Sequence, residues 1–357
     1  MTVSQRIQSF CERFNLRIPI LLAPMAGVSP TSLSIAVMQA GGMGACGTLL
    51  MQPDAILNWA KEVRGHTTGP FNLNLWIPDP APPRDETHEA QLSEFLGRWG
   101  PALGPDAGNA TPPDFSAQCA AMLEAKPAVI SSVMGLYPPA FVQAMKAAGI
   151  TWFANVSTVT EALAAEAAGA EVIVAQGMEA GGHRGCFDAR LAEAQQVGLF
   201  ALLPAIVDAV KVPVVATGGI ADARGIAAAF ALGASAVQIG SGFMRCPEAK
   251  LPAAWAEAMA RTKPEETILT RAFSGRAGRS VLTDYIRATQ ANDAPKPAPY
   301  PIQRSLTAAM REAAVKENDV QRMQAWAGQA SYLAQAKPAG ELLTTLWAQA
   351  QTLMPSL

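Results

Sequence analysis

In the stretch Gln176-Gly-Met-Glu-Ala-Gly-Gly-His-Arg-Gly185, four glycines surround one histidine. An imidazole titrates near neutral pH, so a residue placed like His183 can exchange a proton with a ligand or hold an anion by hydrogen bonding. The glycines lack Cβ, which lets the backbone turn tightly and approach a bound molecule closely. The apolar run Glu171-Val-Ile-Val-Ala175 comes just before, so the stretch reads as the loop leaving a β-strand. Two further glycine turns follow. Gly218-Gly219 closes the run Val212–Thr217 ahead of a helix near Asp222, and Gly240-Ser-Gly242 closes Ala236–Ile239 ahead of one near Pro247. Main-chain N–H groups at helix starts are unpaired and sit at the positive end of the helix dipole, so a phosphate bridging the two turns is the economical reading. Neither turn has the GxGxxG or GxxxxGK[ST] pattern, which leaves a dinucleotide fingerprint and a P-loop without support.

The remaining reactive side chains offer weaker chemistry. Cys186 lies three residues after His183, but no third orienting group is visible and close spacing in sequence is not geometry. Glu179 is expected to hydrogen-bond its own turn, and Arg184 to be solvated or to neutralise Glu179. Arg276 and Arg279 either screen an anionic ligand or lie on the surface, and His66 and His88 read as surface histidines. Five scattered cysteines without a CxxC spacing imply reduced cytoplasmic thiols, with neither a disulfide framework nor a metal site. A net charge of −2 gives no basic footprint for nucleic acid or anionic lipid, so a small neutral or anionic ligand fits better. The uncharged run Gly225–Met244 is broken by Gly233, Gly240 and Gly242 and resolves into a helix, a turn and a strand rather than a membrane span. Met1–Asn15 has helical spacing and no unbroken apolar core of a signal peptide, so it reads as an outer helix.

The elements that position these residues alternate regularly. Strands are expected at Ile20–Met25, Gly41–Thr48, Phe71–Ile77, Ala128–Met134, Thr151–Val156, Glu171–Ala175, Val212–Thr217 and Ala236–Ile239, with helical patterns between them. Asn72 and Asn74 share one face of the third strand. Eight strands in this alternation argue for a (β/α)₈ TIM barrel, although an open doubly wound sheet has a similar local pattern. Residues 1–77 and 114–262 form the expected barrel, 78–113 a proline-rich insert after strand 3, and 263–357 a mostly helical extension covering the active-site face. Within that extension Thr270–Arg279 reads as polar and flexible, Asn292–Pro301 as a proline-rich loop containing Tyr300, and Arg311, Lys316, Glu317 and Arg322 as a solvated face.

Six runs in order, Ala23-Pro-Met-Ala-Gly27, Phe71-Asn-Leu-Asn74, Gln176–Gly185, Thr217-Gly-Gly-Ile220, Gly233–Ser241 and Ala298-Pro-Tyr-Pro301, resemble the nitronate monooxygenase family, formerly called 2-nitropropane dioxygenases. The Glu179-Ala-Gly-Gly-His-Arg-Gly185 string is the most specific, and Ala298–Pro301 resembles the bacterial class I members. The resemblance implies an FMN-dependent barrel that oxidises alkyl nitronates, such as propionate 3-nitronate, with O₂ to a carbonyl compound and nitrite. It implies that Ala23, Pro24, Met25, Asn72, Gln176, Gly181, Gly182, Gly218, Gly219, Gln238, Ile239, Gly240 and Ser241 line the flavin, that His183 faces the substrate, and that Tyr300 closes the pocket. Ser241 stands where the family pattern more usually has threonine. An FMN-dependent enoyl-acyl-carrier-protein reductase and an NAD(P)H quinone reductase share the barrel and are the near alternatives. A flavin-free lyase or isomerase acting on a phosphorylated substrate is the alternative from another class. The oligomeric state is left open.

Overall fold

A computed structural model describes residues 2–109 and 111–354. Eight parallel strands, β1 Ile20–Leu22, β2 Gly44–Gly47, β3 Phe71–Trp76, β4 Val129–Val133, β5 Thr151–Val156, β6 Val172–Gln176, β7 Val214–Thr217 and β8 Ala236–Ile239, pair in chain order. β8 pairs with β1, and the bridge from Leu21 to Met43 joins β1 to the start of β2, so the sheet closes into a (β/α)₈ barrel. Closure excludes the open doubly wound sheet. The strands are Val/Ile-rich runs buried along their length, as expected where helices cover one face and the barrel interior the other.

Local chemistry fixes the helix starts. Asp114, Thr158 and Asp222 each accept the N–H three residues on, and Pro53 and Pro139 occupy first-turn positions where a missing N–H costs nothing. The N-terminal helix Val3–Phe14 departs from the expected outer position. Its Phe10 and Phe14 pack with Leu21, Val129, Phe153 and Val172 in the barrel's interior cluster, and Phe14 meets Phe153 edge-on at 5.2 Å. An amphipathic helix with aromatic residues on its apolar face can plug the N-terminal end of a barrel as readily as it can lie on the outside.

Two segments outside the βα repeat shape the opposite end. The helix Glu86–Leu96 of the insert contributes Leu92, Phe95 and Leu96 to a second apolar cluster with Phe273, Tyr285, Ile302 and Met310. Insert and extension thus share one core. The Thr270–Arg279 region, expected to be flexible, instead joins two strands, the half-buried Thr267–Thr270 and the buried Gly278–Val281, which pair with each other. Gly278–Val281 also pairs antiparallel with the two-residue strand Gly182–His183. Its polar side chains misled because a four-residue strand buried by a partner about a hundred residues away leaves no local period to read. The last helix, Ala339–Leu353, packs between Thr31–Gln39 and Ala223–Ala231 and shares their apolar layer, so the end of the extension supplies the helix that completes the barrel's outer ring. No helix among the described residues is long and apolar enough to cross a membrane.

Candidate active site

A cavity of about 600 Å³ opens at the C-terminal ends of the strands, within the size range of ligand sites. Its wall includes Ala23, Pro24 and Met25 after β1, Gln176 and Gly181 to His183 at β6, Gly218 and Gly219 after β7, and Gln238, Gly240 and Ser241 at β8. Of the residues expected to line the flavin, Asn72 and Ile239 do not reach this wall. Asn72 sits four residues before the strand end, buried in the barrel with Oδ1 unpartnered, and Asn74, two residues further on, takes the lining position, its Nδ2 donating to Ser131 Oγ at 2.9 Å. Ile239 alternates away from Gln238 into the helix-facing layer. Tyr300 is likewise off the wall. Its ring packs on Trp76 at 5.3 Å, and Trp76 lines the cavity.

The glycine loop is held from behind. Gln176 uses both ends of its amide, donating Nε2 to His183 O at 3.1 Å and accepting Gly185 N at 2.7 Å. Arg184 is buried, against the expectation of a solvated side chain, and donates to Gly177 O at 2.7 Å. Arg279 is also buried and donates to Met178 O at 2.9 Å. A glycine loop leaves main-chain carbonyls without ladder partners, and arginine, with five donors, is the side chain able to meet them. Glu179 accepts the Leu199 N–H at 2.8 Å and so caps the next helix rather than its own turn. Cys186 is buried with Ala192 and Ala277, and burial pushes its thiol up, so Cys186 is not an activated nucleophile for His183. His66 ends an outer helix, and His88 Nε2 meets Lys296 O at 2.8 Å, both away from the cavity wall.

His183 is fixed on three sides. Trp76 and Trp326 meet its ring edge-on at 4.7 and 4.9 Å, and Ser274 Oγ lies 2.7 Å from Nε2. With Nε2 engaged, Nδ1 is the atom left for a ligand. Burial, followed by the charges of Arg304, Arg276 and Arg311, pushes the imidazole down to about 3, so the ring is neutral across the physiological range. Of these cations Arg276 is buried and paired with Asp79 at 2.8 Å, while Arg304 and Arg311 line the cavity. Arg311 therefore does not belong to the solvated face expected for it. Trp76, Ser274, Arg304 and Trp326 are the parts of the site that sequence reasoning missed. Three of them come from the extension, whose sequence carries no signal that it returns to the β6 loop.

Among the described residues no group of three or more His, Cys, Asp or Glu side chains is placed to hold a metal ion. The glycine turns, by contrast, form a cradle. Gly218 and Gly219 have φ of +105° and +70°, and a Cβ on Gly218 would come within 3.1 Å of both Ala180 N and Gly177 O. No acceptor for the N–H groups of Gly218, Gly219 and Gly240 is found among the described residues. These amides, beside Ser241 at the mouths of β7 and β8, are left with their N–H groups free to donate to a ligand in the cavity.

Comparison with known proteins agrees with this arrangement. Residues 8–349 match the family model described as nitronate monooxygenase. A nitronate monooxygenase of Paraburkholderia phytofirmans is 38% identical over 92% of this chain and 91% of its own length. Among solved structures, a nitroalkane oxidase from Streptomyces ansochromogenes superposes with a TM-score of 0.85 at 35% identity, covering 96% of this chain and 99% of that one. FabK from Thermotoga maritima superposes with a TM-score of 0.75 at 26% identity, covering 97% and 96%. With a family model matched along nearly the whole chain and close relatives covered end to end, this barrel belongs to the nitronate monooxygenase family of oxidoreductases.

Proposed function

We propose that the chain is an FMN-dependent nitronate monooxygenase that oxidises small alkyl nitronates, such as propionate 3-nitronate, with O₂ to a carbonyl compound and nitrite. The residues present fit the cofactor. Gly218, Gly219, Gly240 and Ser241 would hold its phosphate, with Ala23 to Met25, Gln176, Gly181, Gly182 and Gln238 along the rest of the cavity. Asn74 replaces Asn72 in that role. Bound FMN would supply the transfer of electrons from nitronate to O₂.

One observation carries the choice of substrate, namely the neutral, weakly basic His183 on the cavity wall. A base that protonates only near pH 3 is poorly matched to removing a carbon-bound proton at neutral pH. Substrate therefore has to arrive as the anion. His183 then acts as an oriented hydrogen-bonding group, its ring held by Trp76, Trp326 and Ser274 so that Nδ1 meets the ligand.

Anaerobic mixing of the flavin-loaded protein with propionate 3-nitronate, followed at the flavin absorbance, is expected to bleach the flavin. His183→Asn should slow that bleaching about tenfold or more, the worth of one hydrogen bond to an anion. NADPH is the parallel reductant, because the enoyl-acyl-carrier-protein reductase and quinone reductase alternatives would consume it. Rapid bleaching by NADPH with no response to nitronate would overturn this reading in favour of a reductase.

A further inference from the structure

We propose that Arg304 is the anion-recognition residue of the cavity, the group that meets the negative charge of the substrate. The inference rests on the nitronate reading for the identity of the anion, and on the side chains around the cavity for the residue.

A neutral His183 can donate or accept a hydrogen bond but cannot balance a charge, and an anion enclosed without a counter-charge is strongly disfavoured. Three cationic side chains line the cavity, Arg304, Arg311 and Lys316, and a fourth, Arg276, lies close behind. Arg276 is already neutralised by Asp79. Arg311 has its guanidinium committed, Nε to Thr307 Oγ1 at 3.1 Å, Nη1 to Gln324 Oε1 at 3.3 Å and Nη2 to Arg304 O at 2.9 Å. Lys316 is exposed at the end of the helix Ala308–Lys316, with the carboxylate of Glu312 one turn before it on the same wall. Arg304 alone is both enclosed and unengaged. Its side chain has no acidic partner and no hydrogen-bond acceptor among the described residues, although burial lowers its pKa and so makes an unpaired charge there costly. A guanidinium presents a planar fork that matches the two oxygens of a nitronate or a carboxylate. Arg304 also sits four residues after Tyr300, whose ring backs Trp76, so it belongs to the His183 side of the cavity. That side is distinct from the glycine cradle, where backbone amides would serve the phosphate of bound FMN.

The test uses the flavin-loaded enzyme with two probes. Nitrate, which is not turned over, is titrated against the flavin absorbance, and ethyl nitronate supplies kcat and KM. Arg304→Gln should weaken nitrate binding and raise the ethyl nitronate KM by about tenfold to about a hundredfold, with kcat within about twofold. Arg304→Lys should recover much of both, and Lys316→Gln should change neither. Unchanged nitrate affinity in Arg304→Gln, the loss appearing in Lys316→Gln instead, or Arg304→Gln shedding flavin rather than nitrate would each overturn the assignment. The two readings separate cleanly. Wild-type protein that binds nitrate through Arg304 but oxidises no nitronate keeps Arg304 as the anion site and rejects the nitronate activity, whereas nitronate turnover with an unaltered KM in Arg304→Gln rejects Arg304 alone.

Discussion

At the β7 and β8 end of the cavity the wall is main chain, formed by Gly218, Gly219, Gly240 and the backbone around Ser241, each the direct continuation of a barrel strand. At the His183 end it is side chain, formed by Trp76, His183, Trp326, Arg304 and Arg311, contributed by β3, the β6 loop and three separate parts of the C-terminal extension. A backbone site needs only the right local conformation, which glycines supply and which a strand end orients. A side-chain site needs distant segments brought into register, and its precision depends on every contact between them. The two ends meet where the segment around Gly328 lies on the β6 loop, so substitutions there should reveal how far one depends on the other.

Gly181 should be the most damaging single position. An added Cβ would fall on the Gly328 amide nitrogen and within 2.7 Å of the Ala327 carbonyl carbon, both main-chain atoms unable to swing away. Gly181→Ala should therefore lift the extension off the loop, costing about 1–3 kcal/mol as overpacking does, with loss of bound flavin. Gly182→Ala is the matched control. Its φ of +74° imposes a conformational cost of about 1–2 kcal/mol, but a Cβ there meets nothing within 4 Å, so flavin retention should survive. Thermal unfolding and flavin content of the pair measure both effects, and equal flavin loss in the two would show that the Gly328 contact is not what holds the ends together.

This division also explains what could be read from the chain. The strand runs and the glycine turns that follow them are local patterns, so the barrel and the position of its loops were legible. Asn72 failed by one step of the two-residue period, because sequence gives the face of a strand but not the depth at which the cavity begins. The burial of Arg184 and Arg279 was not legible, because charge predicts exposure or an ionic partner unless something buried needs donors, and those carbonyl acceptors exist only once the loop is folded. Trp326 and Ser274 had no local signal at all. They reach His183 through pairing of Gly278–Val281 with Gly182–His183, a long-range event that composition cannot announce.

The His183 end should also be the more pH-sensitive. His183 has a folded-state value of about 3, below its ordinary 6.5, so between those limits the unfolded chain binds the proton that the folded chain refuses. Its contribution is fully present above about pH 6.5 and is lost as pH falls toward 3. The groups facing it are Ser274 and the cations Arg304, Arg276 and Arg311, whose charges disfavour the imidazolium. In His183→Asn the fall in Tm from pH 7 to pH 4 should be shallower than in the wild type. Parallel curves would mean that the folded protein accommodates the imidazolium, and with it that His183 could act as a base.

Ser241 should give the smallest effect and the most direct reading of how the two ends are joined. Its Oγ accepts the Gly328 N–H at 3.0 Å, and its main chain stands in the glycine cradle. The hydroxyl therefore faces two tasks, since its lone pair is used by the extension while its proton remains available to a phosphate. Removing it in Ser241→Ala deletes one neutral hydrogen bond, worth about 1 kcal/mol, or roughly a fivefold weaker hold on flavin if the phosphate contact is what matters. If instead the Gly328 contact dominates, flavin affinity should stay near the wild-type value while the Trp326 fluorescence changes, because Trp326 lies two residues before Gly328 and rests on His183. Ser241→Thr, which keeps the hydroxyl, should behave as wild type in both measurements. A change in flavin affinity without a change in Trp326 would make the cradle self-sufficient, and the two ends of the cavity would then be energetically separate despite sharing a wall.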